Sequence, residues 1–520
     1  MRDIETLQYH STSQLRDAVS PAQKPNGIAV FIMSHPLLER VGHYYFYPLE
    51  TQNSYFDINR TTPVFSPSAM PLADPYINRT GLRIRYQDHE NFTLSKQNPK
   101  LALIVDKQPV DDHITLTRTH LINGVILQLN QRICLLLKLC PPVQPVDHNR
   151  FLMYGLSHSL NQVCQHIAFL SPTNEPVLIR GATGTGKELV ARAIVQNSPR
   201  RDKPFISVNL AALSPALAAA ELFGSSKGAY TGAQKQRNGF MQAADGGTLF
   251  LDEIGEANSE VQAMLLRVLE TGELFPVGST KPIQVDVRII AATDAKLDQM
   301  IIKAQFKAPL LYRLANFELK LADLSERKQD ISLLFVHFAR QICQELNIKP
   351  AQNLLELSWL PSQLMQQLSD YHWPGNIREL RNVVRQIVIS AHNGPVLSLP
   401  DEFAEKLNQT CQPLPASSQQ PASSKPAPPK RKPATISKDE LCDALTQCSH
   451  EVSKTADLLN TSRASIYQLM KQFELPNIAN VSDQHIRQLL DQQQDIIKVA
   501  KHLQVSQSSL RRRLNELKLK

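Results

Sequence analysis

A strand, a glycine loop and a helix in close succession constrain this chain more than any other feature. Residues 176–179 read PVLI, a short and wholly apolar run. After Arg180 comes Gly181-Ala182-Thr183-Gly184-Thr185-Gly186-Lys187-Glu188, which opens a helical segment. Backbone N–H groups of such a loop point inward at phosphate oxygens, the helix N-terminus adds a favourable field, and the lysine reaches the terminal phosphates. Glycines are needed because side chains would block that approach. Gly181, Thr183, Gly184, Thr185, Gly186, Lys187 and Glu188 are therefore the candidate nucleotide-binding residues. Glu188 stands where a serine or threonine would give magnesium a hydroxyl.

Two carboxylates complete the chemistry. GGTLFLDEI places Asp252 and Glu253 at the tip of an apolar strand. Adjacent buried acids cost stability unless they have a role. Asp252 is expected to hold Mg2+, mostly through water, and Glu253 to orient and polarise an attacking water. The runs PFISV (204–208), TLFL (248–251) and VRIIAA (287–292) read as further buried parallel strands. Segments 188–196 and 260–270 have helical periodicity, so the layout is that of an α/β P-loop domain. WPGNIREL (373–380) puts Arg378 on a helix after a Pro-Gly turn, within reach of nucleotide phosphates.

Between the two nucleotide motifs lies ELFGSSKGAYTGA, residues 221–233. A loop of small residues with one aromatic, Tyr230, suits a mobile segment that presents a ring to a partner. At this point the block from about 151 to 393 resembles the AAA+ ATPase domain of bacterial sigma-54-dependent activators. GAYTGA resembles their GAFTGA loop, with tyrosine for phenylalanine, which implies that Gly228, Ala229, Tyr230, Thr231, Gly232 and Ala233 contact sigma-54. A nucleotide loop ending in GKE is the form usual in that family. The resemblance further implies that Asn209 pairs with Glu253 and that Arg378 is the sensor II arginine. Thr293 and Asp294 occupy the sensor I region, where the family more often has Thr-Asn. FKAPLLYRL (306–314) is similar to the family's FRxDLYYRL, which lends two arginines to a neighbouring subunit's ATP. Arg313 is kept, whereas Lys307 replaces the first arginine and Pro309 the aspartate. The implied cofactors are ATP and Mg2+, and the implied assembly is a self-associated ring, a hexamer.

The two ends differ from the middle. Residues 412–433, QPLPASSQQPASSKPAPPKRKP, have almost nothing that can enter a core and read as a flexible linker. Beyond it the chain repeats itself: SKTADLLNTSRASIYQLMKQFEL from Ser453 aligns with IKVAKHLQVSQSSLRRRLNELKL from Ile497. A constant offset with helical apolar spacing means two copies of one small helical unit. Each resembles the Fis-type helix-turn-helix of sigma-54 activators, which usually have one; the second copy is a departure that leaves packing or dimerisation as the alternative role for one of the two. Arg463, Ser465, Tyr467 and Gln468 in the first, and Gln507, Ser508, Arg511, Arg512 and Arg513 in the second, are the candidate DNA contacts. A net charge of +8 permits such binding without proving it.

The N-terminal block has short alternating runs such as GIAVFIM, GLRIRY, LALIV and GVILQL, broken by Asn, Asp, Pro and Gly, which favours a β-sandwich. Through INRTTPVF (58–65) and DPYINRTGLRIR (74–85) it resembles a forkhead-associated (FHA) domain. That resemblance implies a phosphothreonine protein as partner, with Arg60, Asn78 and Arg79 as contacts; a sandwich used for protein contacts alone is the other reading.

The chain has 520 residues, enough for about three or four domains. Its seven cysteines are scattered and never spaced CxxC, which fits a reducing cytoplasm rather than a disulfide or zinc framework. No run approaches the ~20 apolar residues of a membrane helix; the nearest, 133–140, is broken by Lys138. The start, MRDIETLQYH, is not that of a signal peptide. The expected organisation is multidomain. It comprises an FHA-like β-sandwich (1–145), an α/β P-loop AAA+ domain with a helical subdomain (150–394), a Pro/Ser linker (395–435) and an all-α tandem helix-turn-helix (436–520). The expected protein is a cytoplasmic activator that binds upstream DNA and uses ATP to remodel sigma-54 RNA polymerase, in keeping with control of type VI secretion genes. The alternative is a DNA-bound AAA+ assembly or repressor with residual ATPase activity.

Overall fold

The computed structural model describes residues 25–88, 90–228, 236–347, 360–392, 437–448 and 463–473, with Phe403 and isolated positions of the C-terminal block. The chain divides into two compact units, Met1–Pro413 and Leu414–Lys520.

The first unit begins with a β-sandwich. One antiparallel sheet runs β2-β1-β10-β9-β6-β7, from β1 (Gly27–Ser34), β2 (Tyr44–Pro48), β6 (Leu103–Val105), β7 (Gln108–Val110), β9 (Val125–Leu129) and β10 (Ile133–Cys140). The other runs β3-β4-β5-β8, from β3 (Tyr55–Ile58), β4 (Leu82–Tyr86), β5 (Asn91–Lys96) and β8 (His113–Thr117). A short helix, α1 (Arg118–Asn123), leads into β9. Every second residue of the central strands, such as Ile28, Val30, Ile32, Leu135 and Leu137, faces the opposite sheet.

PPVQPVD follows β10 and leads to α2 (His148–Phe151) and α3 (His158–Leu170). The nucleotide-loop domain then builds a parallel sheet of order β12-β13-β16-β11-β17. Its strands are β11 (Val177–Arg180), β12 (Phe205–Asn209), β13 (Thr248–Asp252), β16 (Arg288–Thr293) and β17 (Phe317–Lys320). The small hairpin β14 (Glu273–Leu274) and β15 (Ile283–Gln284) stands apart from it. The four apolar runs singled out in the sequence supply β11, β12, β13 and β16. The edge strand β17, FELK, was missed because one side of it is wet and it reads as a polar alternation.

Helices α4 (Lys187–Gln196), α5 (Ala218–Phe223), α6 (Phe240–Ala243), α7 (Ser259–Thr271), α8 (Leu297–Ile302) and α9 (Ala308–Leu314) cover the sheet and its edges. Then α10 (Lys328–Glu345), α11 (Ser362–Asp370) and α12 (Asn376–His392) form a helical lid. Trp373 is 1% exposed at its centre, and Phe403, inside the stretch expected to be linker, packs on it and on Tyr371. Among the described residues no helix is long and apolar enough to cross a membrane.

In the second unit, α13 (Lys438–Gln447) and α14 (Arg463–Gln472) enclose a small core of Leu441, Leu445, Ala456, Leu459, Ile466 and Leu469. Ser437 caps α13 by accepting from Glu440 N. Leu445 and Ile466 of the first repeat are buried, and so are Leu489 and Leu510 at the matching positions of the second.

Candidate nucleotide site

The loop between β11 and α4 is held from three sides. Gly184 and Gly186 have φ of +79° and +104°, the left-handed region that favours glycine. A Cβ at Gly184 would also lie 2.2 Å from the carbonyl oxygen of Gly375 on the lid, so the approach there is backbone to backbone. Thr185 closes the turn, its Oγ1 donating to Ala182 O at 2.7 Å.

Lys187, the first residue of α4, is 7% exposed. Its Nζ donates to Gly181 O at 3.1 Å and meets Glu253 Oε1 at 3.4 Å. Asp252 ends β13, and Glu253 turns away from the strand in a left-handed conformation, φ 54°. Burial pushes the Asp252 carboxyl above the usual carboxylate range, with Lys187 opposing. Burial does the same to Glu253, again opposed by Lys187. Asp294 is held low, chiefly by the hydroxyl of Thr183, which donates to its Oδ2 at 2.6 Å. Glu253 and Asp294 also share a hydrogen bond, which pushes the Glu253 carboxyl up and holds that of Asp294 down.

Asn209 lies opposite Asp252 in the β12–β13 register. Its Oδ1 accepts from Ala211 N at 2.9 Å, while the partners of Glu253 among the described residues are Lys187 and Asp294. Glu188 points outward and pairs with Arg192 at 2.8 Å. Arg378 is exposed beside the loop: a Cβ on Gly184 would be 3.1 Å from its own. Its charge lowers the Asp252 carboxyl, so its field reaches the acidic pair.

The same segment holds residues that sequence reasoning passed over. Asn376 is 2% exposed with φ 49°. Its Nδ2 donates to Thr183 O at 3.1 Å and its Oδ1 accepts from Leu324 N at 2.8 Å. Ile377 N donates to Gly184 O at 3.0 Å, and Arg327 Nη2 to Thr185 O at 3.3 Å. The lid therefore grips three successive carbonyls of the loop. Asn376→Ala strands the buried Leu324 N–H, at a cost of about 1–3 kcal/mol, and also removes the donor to Thr183 O at the exposed loop. It is expected to lower the melting temperature and weaken nucleotide binding by roughly tenfold. Asn376→Gly, which relieves the backbone, should do as much harm in fluorescent-nucleotide titration; full recovery in the glycine variant would make strain, not hydrogen bonding, the issue.

Beside the loop, between it and the lid, opens a mostly apolar cavity of ≈ 250 Å³, lined by Met153, Tyr154, Leu189, His337, Phe338 and Ile377 among others. Tyr154 stacks on His148 with ring centroids 3.7 Å apart and lies 4.0 Å from His337. Burial holds the His337 imidazole below its ordinary pKa. A flat heterocycle fits such a wall.

The other candidates lie elsewhere. Lys307 is the N-cap residue of α9 with no side-chain cap bond; its backbone N–H donates to Gln262 Oε1 at 2.9 Å, and the residue is exposed. Pro309 sits in the first turn of α9, where no intrahelical bond is lost. Arg313 is exposed on α9, its Nε 3.9 Å from Glu270. Residues 229–235, including Ala229, Tyr230, Thr231, Gly232 and Ala233, lie outside the described residues. Their stem is paired: Ser225 N donates to Arg237 O at 2.9 Å, Arg237 N to Ser225 O at 3.0 Å, and Gly228 is the last residue before the tip.

Arg60, Asn78 and Arg79 are exposed on the connection between β3 and β4, where Arg60 N donates to Asn78 O at 3.2 Å. On α14, Ser465 is half-buried and Gln468 exposed, and the side chains of Arg463 and Tyr467 are not among those described. Gln507, Ser508, Arg511, Arg512 and Arg513 lie outside the described residues.

Comparison with known proteins bears on the same block. A Sigma-54 interaction domain matches residues 153–320, and an AAA+ ATPase lid domain matches residues 325–417. The Psp operon transcriptional activator of Escherichia coli (strain K12) is 45% identical over 236 residues, covering 45% of this chain and 71% of the relative. The DNA-binding transcriptional activator HyfR of the same strain is 44% identical over 233 residues, 45% of this chain and 34% of HyfR. The anaerobic nitric oxide reductase transcription regulator NorR of Salmonella paratyphi C is 38% identical over 329 residues, 62% of this chain and 63% of NorR. The chain thus spans a third of HyfR and less than two thirds of NorR. With its nucleotide loop, acidic pair and gripping lid in one place, and with the length of the Psp activator that it matches, the chain belongs to the family of sigma-54-dependent transcriptional activators, and its central block is an AAA+ ATPase.

Proposed function

We propose that this protein is an ATP-driven transcription activator. It binds DNA upstream of a promoter, assembles into a ring and remodels sigma-54 RNA polymerase so that the promoter opens. The observation that carries this reading is the GAYTGA segment on a paired stem that leaves the ATPase fold between its two nucleotide motifs. Phosphates of ATP take the place of Gly181 O and Glu253 as partners of Lys187, and the cavity beside Tyr154 takes the base. Asp252, half-buried and without a direct salt bridge among the described residues, at the end of β13, fits a role in holding Mg2+. When bound, Mg2+ neutralises charge on the β- and γ-phosphates. Glu253 then takes the proton of the attacking water once Lys187 has turned to phosphate.

Lys307 and Arg313 are exposed on α9, away from their own chain's loop, which suits a contact with a neighbour's nucleotide in a hexameric ring. Arginine offers a planar fork to two oxygens, whereas lysine is a single point charge. Arginine fingers are worth roughly 10³–10⁵ in rate in other NTPases. Arg313→Ala is expected nearly to abolish turnover, and Lys307→Arg to raise it, both only at ring-forming concentration. A dilution series of turnover per subunit checks this; a neutral Lys307→Arg leaves the contact to Arg313 alone.

The finer parts of the proposal rest on the ends. The buried positions common to both C-terminal repeats support a tandem helix-turn-helix with DNA as its partner. The neighbouring Arg60 and Asn78 on the sandwich rim support an FHA-like reader of a phosphothreonine protein, in keeping with type VI secretion control. Lys307 and Pro309 are what favour the alternative, a DNA-bound assembly or repressor with residual ATPase activity. Transcription from a sigma-54 promoter in vitro, with ATP and the full-length chain, decides between them. No open complex, despite normal DNA binding, would leave the second reading.

A further inference from the structure

The sequence marks off the N-terminal sandwich as a separate regulatory domain, yet the central strands of its six-stranded sheet, β1, β9 and β10, are buried on both faces. All eight residues of β1 are buried. Ile28, Val30 and Ile32 face the other sheet, whereas Ala29, Phe31 and Met33 share one core with Leu334, Phe335, Leu364, Met365 and Trp373 of the lid. Polar contacts tie the seam. Ser34 Oγ donates to Leu360 O, and Gln128 Nε2 to Gln366 Oε1. Ser362 Oγ donates to Gln131 O at 2.8 Å, and Lys107 pairs with Asp370 at 2.8 Å.

Helix α10 belongs to both sides. Gln329, Ser332 and Leu333 meet the sandwich, at Lys138, Met33 and Gly42 respectively. Leu334, His337, Phe338 and Gln341, on the adjoining face, line the cavity beside the nucleotide loop. One rigid helix therefore carries the sandwich and one wall of the nucleotide site.

Lys138 is the one charged residue of β10, and its neighbours on the outward face of that strand, Leu136 and Cys140, lie in the core shared with the lid. Its Nζ donates to Glu326 O at 3.0 Å and to Gln329 Oε1 at 3.3 Å. Glu326 sits in the 3-10 turn Leu324–Arg327, the hinge between the α/β sheet and the lid. The next residue, Arg327, is 4% exposed and donates to Thr185 O in the nucleotide loop. Two hydrogen bonds and one peptide unit thus separate a sandwich side chain from the phosphate-binding turn.

We propose that the sandwich is a built-in part of the lid, and that Lys138 is a positioning residue that sets the hinge, and through Arg327 the nucleotide loop, for ATP binding. The inference rests on the assignment of the loop to ATP. Whatever the sandwich rim binds then has a route to ATP affinity through this strand and this hinge.

The test uses the full-length chain, MANT-ATP with Mg2+, and steady-state ATPase assays. Lys138→Met keeps the aliphatic stem and removes the three donors. It is expected to raise the MANT-ATP Kd and the ATP KM by about fivefold or more, with kcat within twofold. Lys138→Arg, which keeps a charged donor at that place, is expected to recover most of the affinity. Unchanged Kd and KM in a folded Lys138→Met overturn the proposal. So does a Lys138→Arg no better than Lys138→Met at equal thermal stability, because the position would then be a matter of packing. If Lys138→Met does not fold, Gln329→Ala replaces it, and an unchanged Kd there counts equally against. Lys187→Ala separates the two levels: if it binds MANT-ATP normally, the loop assignment itself fails.

Discussion

Lys187→Ala is expected to lose nucleotide binding by more than about 100-fold, while Glu253→Gln binds ATP and fails to turn it over. The separation follows from where the two groups sit. Lys187 is 7% exposed at the head of α4 and is the cation between Gly181 O and Glu253. Removing it takes away the charge that faces the β- and γ-phosphates and leaves the half-buried Glu253 without its counter-charge. Glu253→Gln leaves Lys187 in place and removes one negative charge from the phosphate region, so ATP is held at least as well. What disappears is the carboxylate that accepts a proton from water, a role worth typically 10²–10⁴ in rate. Equilibrium binding of a fluorescent ATP analogue and single-turnover hydrolysis, run on both variants, check this. Equal loss of affinity in the two would mean that Glu253 binds rather than activates.

The parts of this site that could be read in the sequence are those made from contiguous residues. The glycine loop needs its φ values within one turn, and a parallel strand covered on both faces leaves an unbroken apolar run, so β11, β13 and β16 announce themselves. The base-side cavity is drawn from Met153, Leu189, His337 and Ile377, four segments that only the fold brings together, and no local pattern marks them. Residues 324–331, LSERKQDI, hold four charged side chains, Glu326, Arg327, Lys328 and Asp330. In the structure Arg327 and Asp330 are 4% and 0% exposed, because each finds partners at the junction. Asp330 accepts from Leu156 N, Ser157 N and Ser157 Oγ, at 2.6, 2.9 and 2.6 Å, and so fastens the segment before α3 to the lid. Such satisfaction depends on neighbours some 170 positions away in the chain. A trace of the sandwich–lid seam was present. GLRIRY alternates, but GIAVFIM, expected to alternate with it, is apolar at every position and buried at every position in β1, whereas a strand with one wet face alternates. That run asked for cover on both sides, and the lid supplies it.

Tyr230→Ala is expected to leave ATP turnover within about twofold and to remove open-complex formation at a sigma-54 promoter. The argument is one of position. The tip 229–235 stands on a stem in which Ser225 and Arg237 exchange backbone hydrogen bonds, and Ser226 N donates to Val277 O at 3.0 Å beside the β14–β15 hairpin. That stem continues from α5, whereas the groups that meet phosphate sit on the β11–α4 loop, at the end of β13 and on α12. Nothing in GAYTGA is suited to phosphate chemistry: it holds two glycines, two alanines, one threonine and the phenol of Tyr230. The ring is the one large surface the segment offers. An aromatic side chain gives a partner much contact area at little entropic cost, so deleting it removes the contact and spares the motor. Tyr230→Phe, which restores the GAFTGA sequence that this loop resembles, should open the promoter as well as the parent chain. Heparin-resistant complexes counted alongside phosphate release settle the point. If Tyr230→Ala opens the promoter at the normal rate, the loop is not what grips sigma-54, and the ATPase must act through another surface. If it instead stops ATP turnover, the loop reports back to the nucleotide through its stem, and Ser225–Arg237 becomes the pairing to break next.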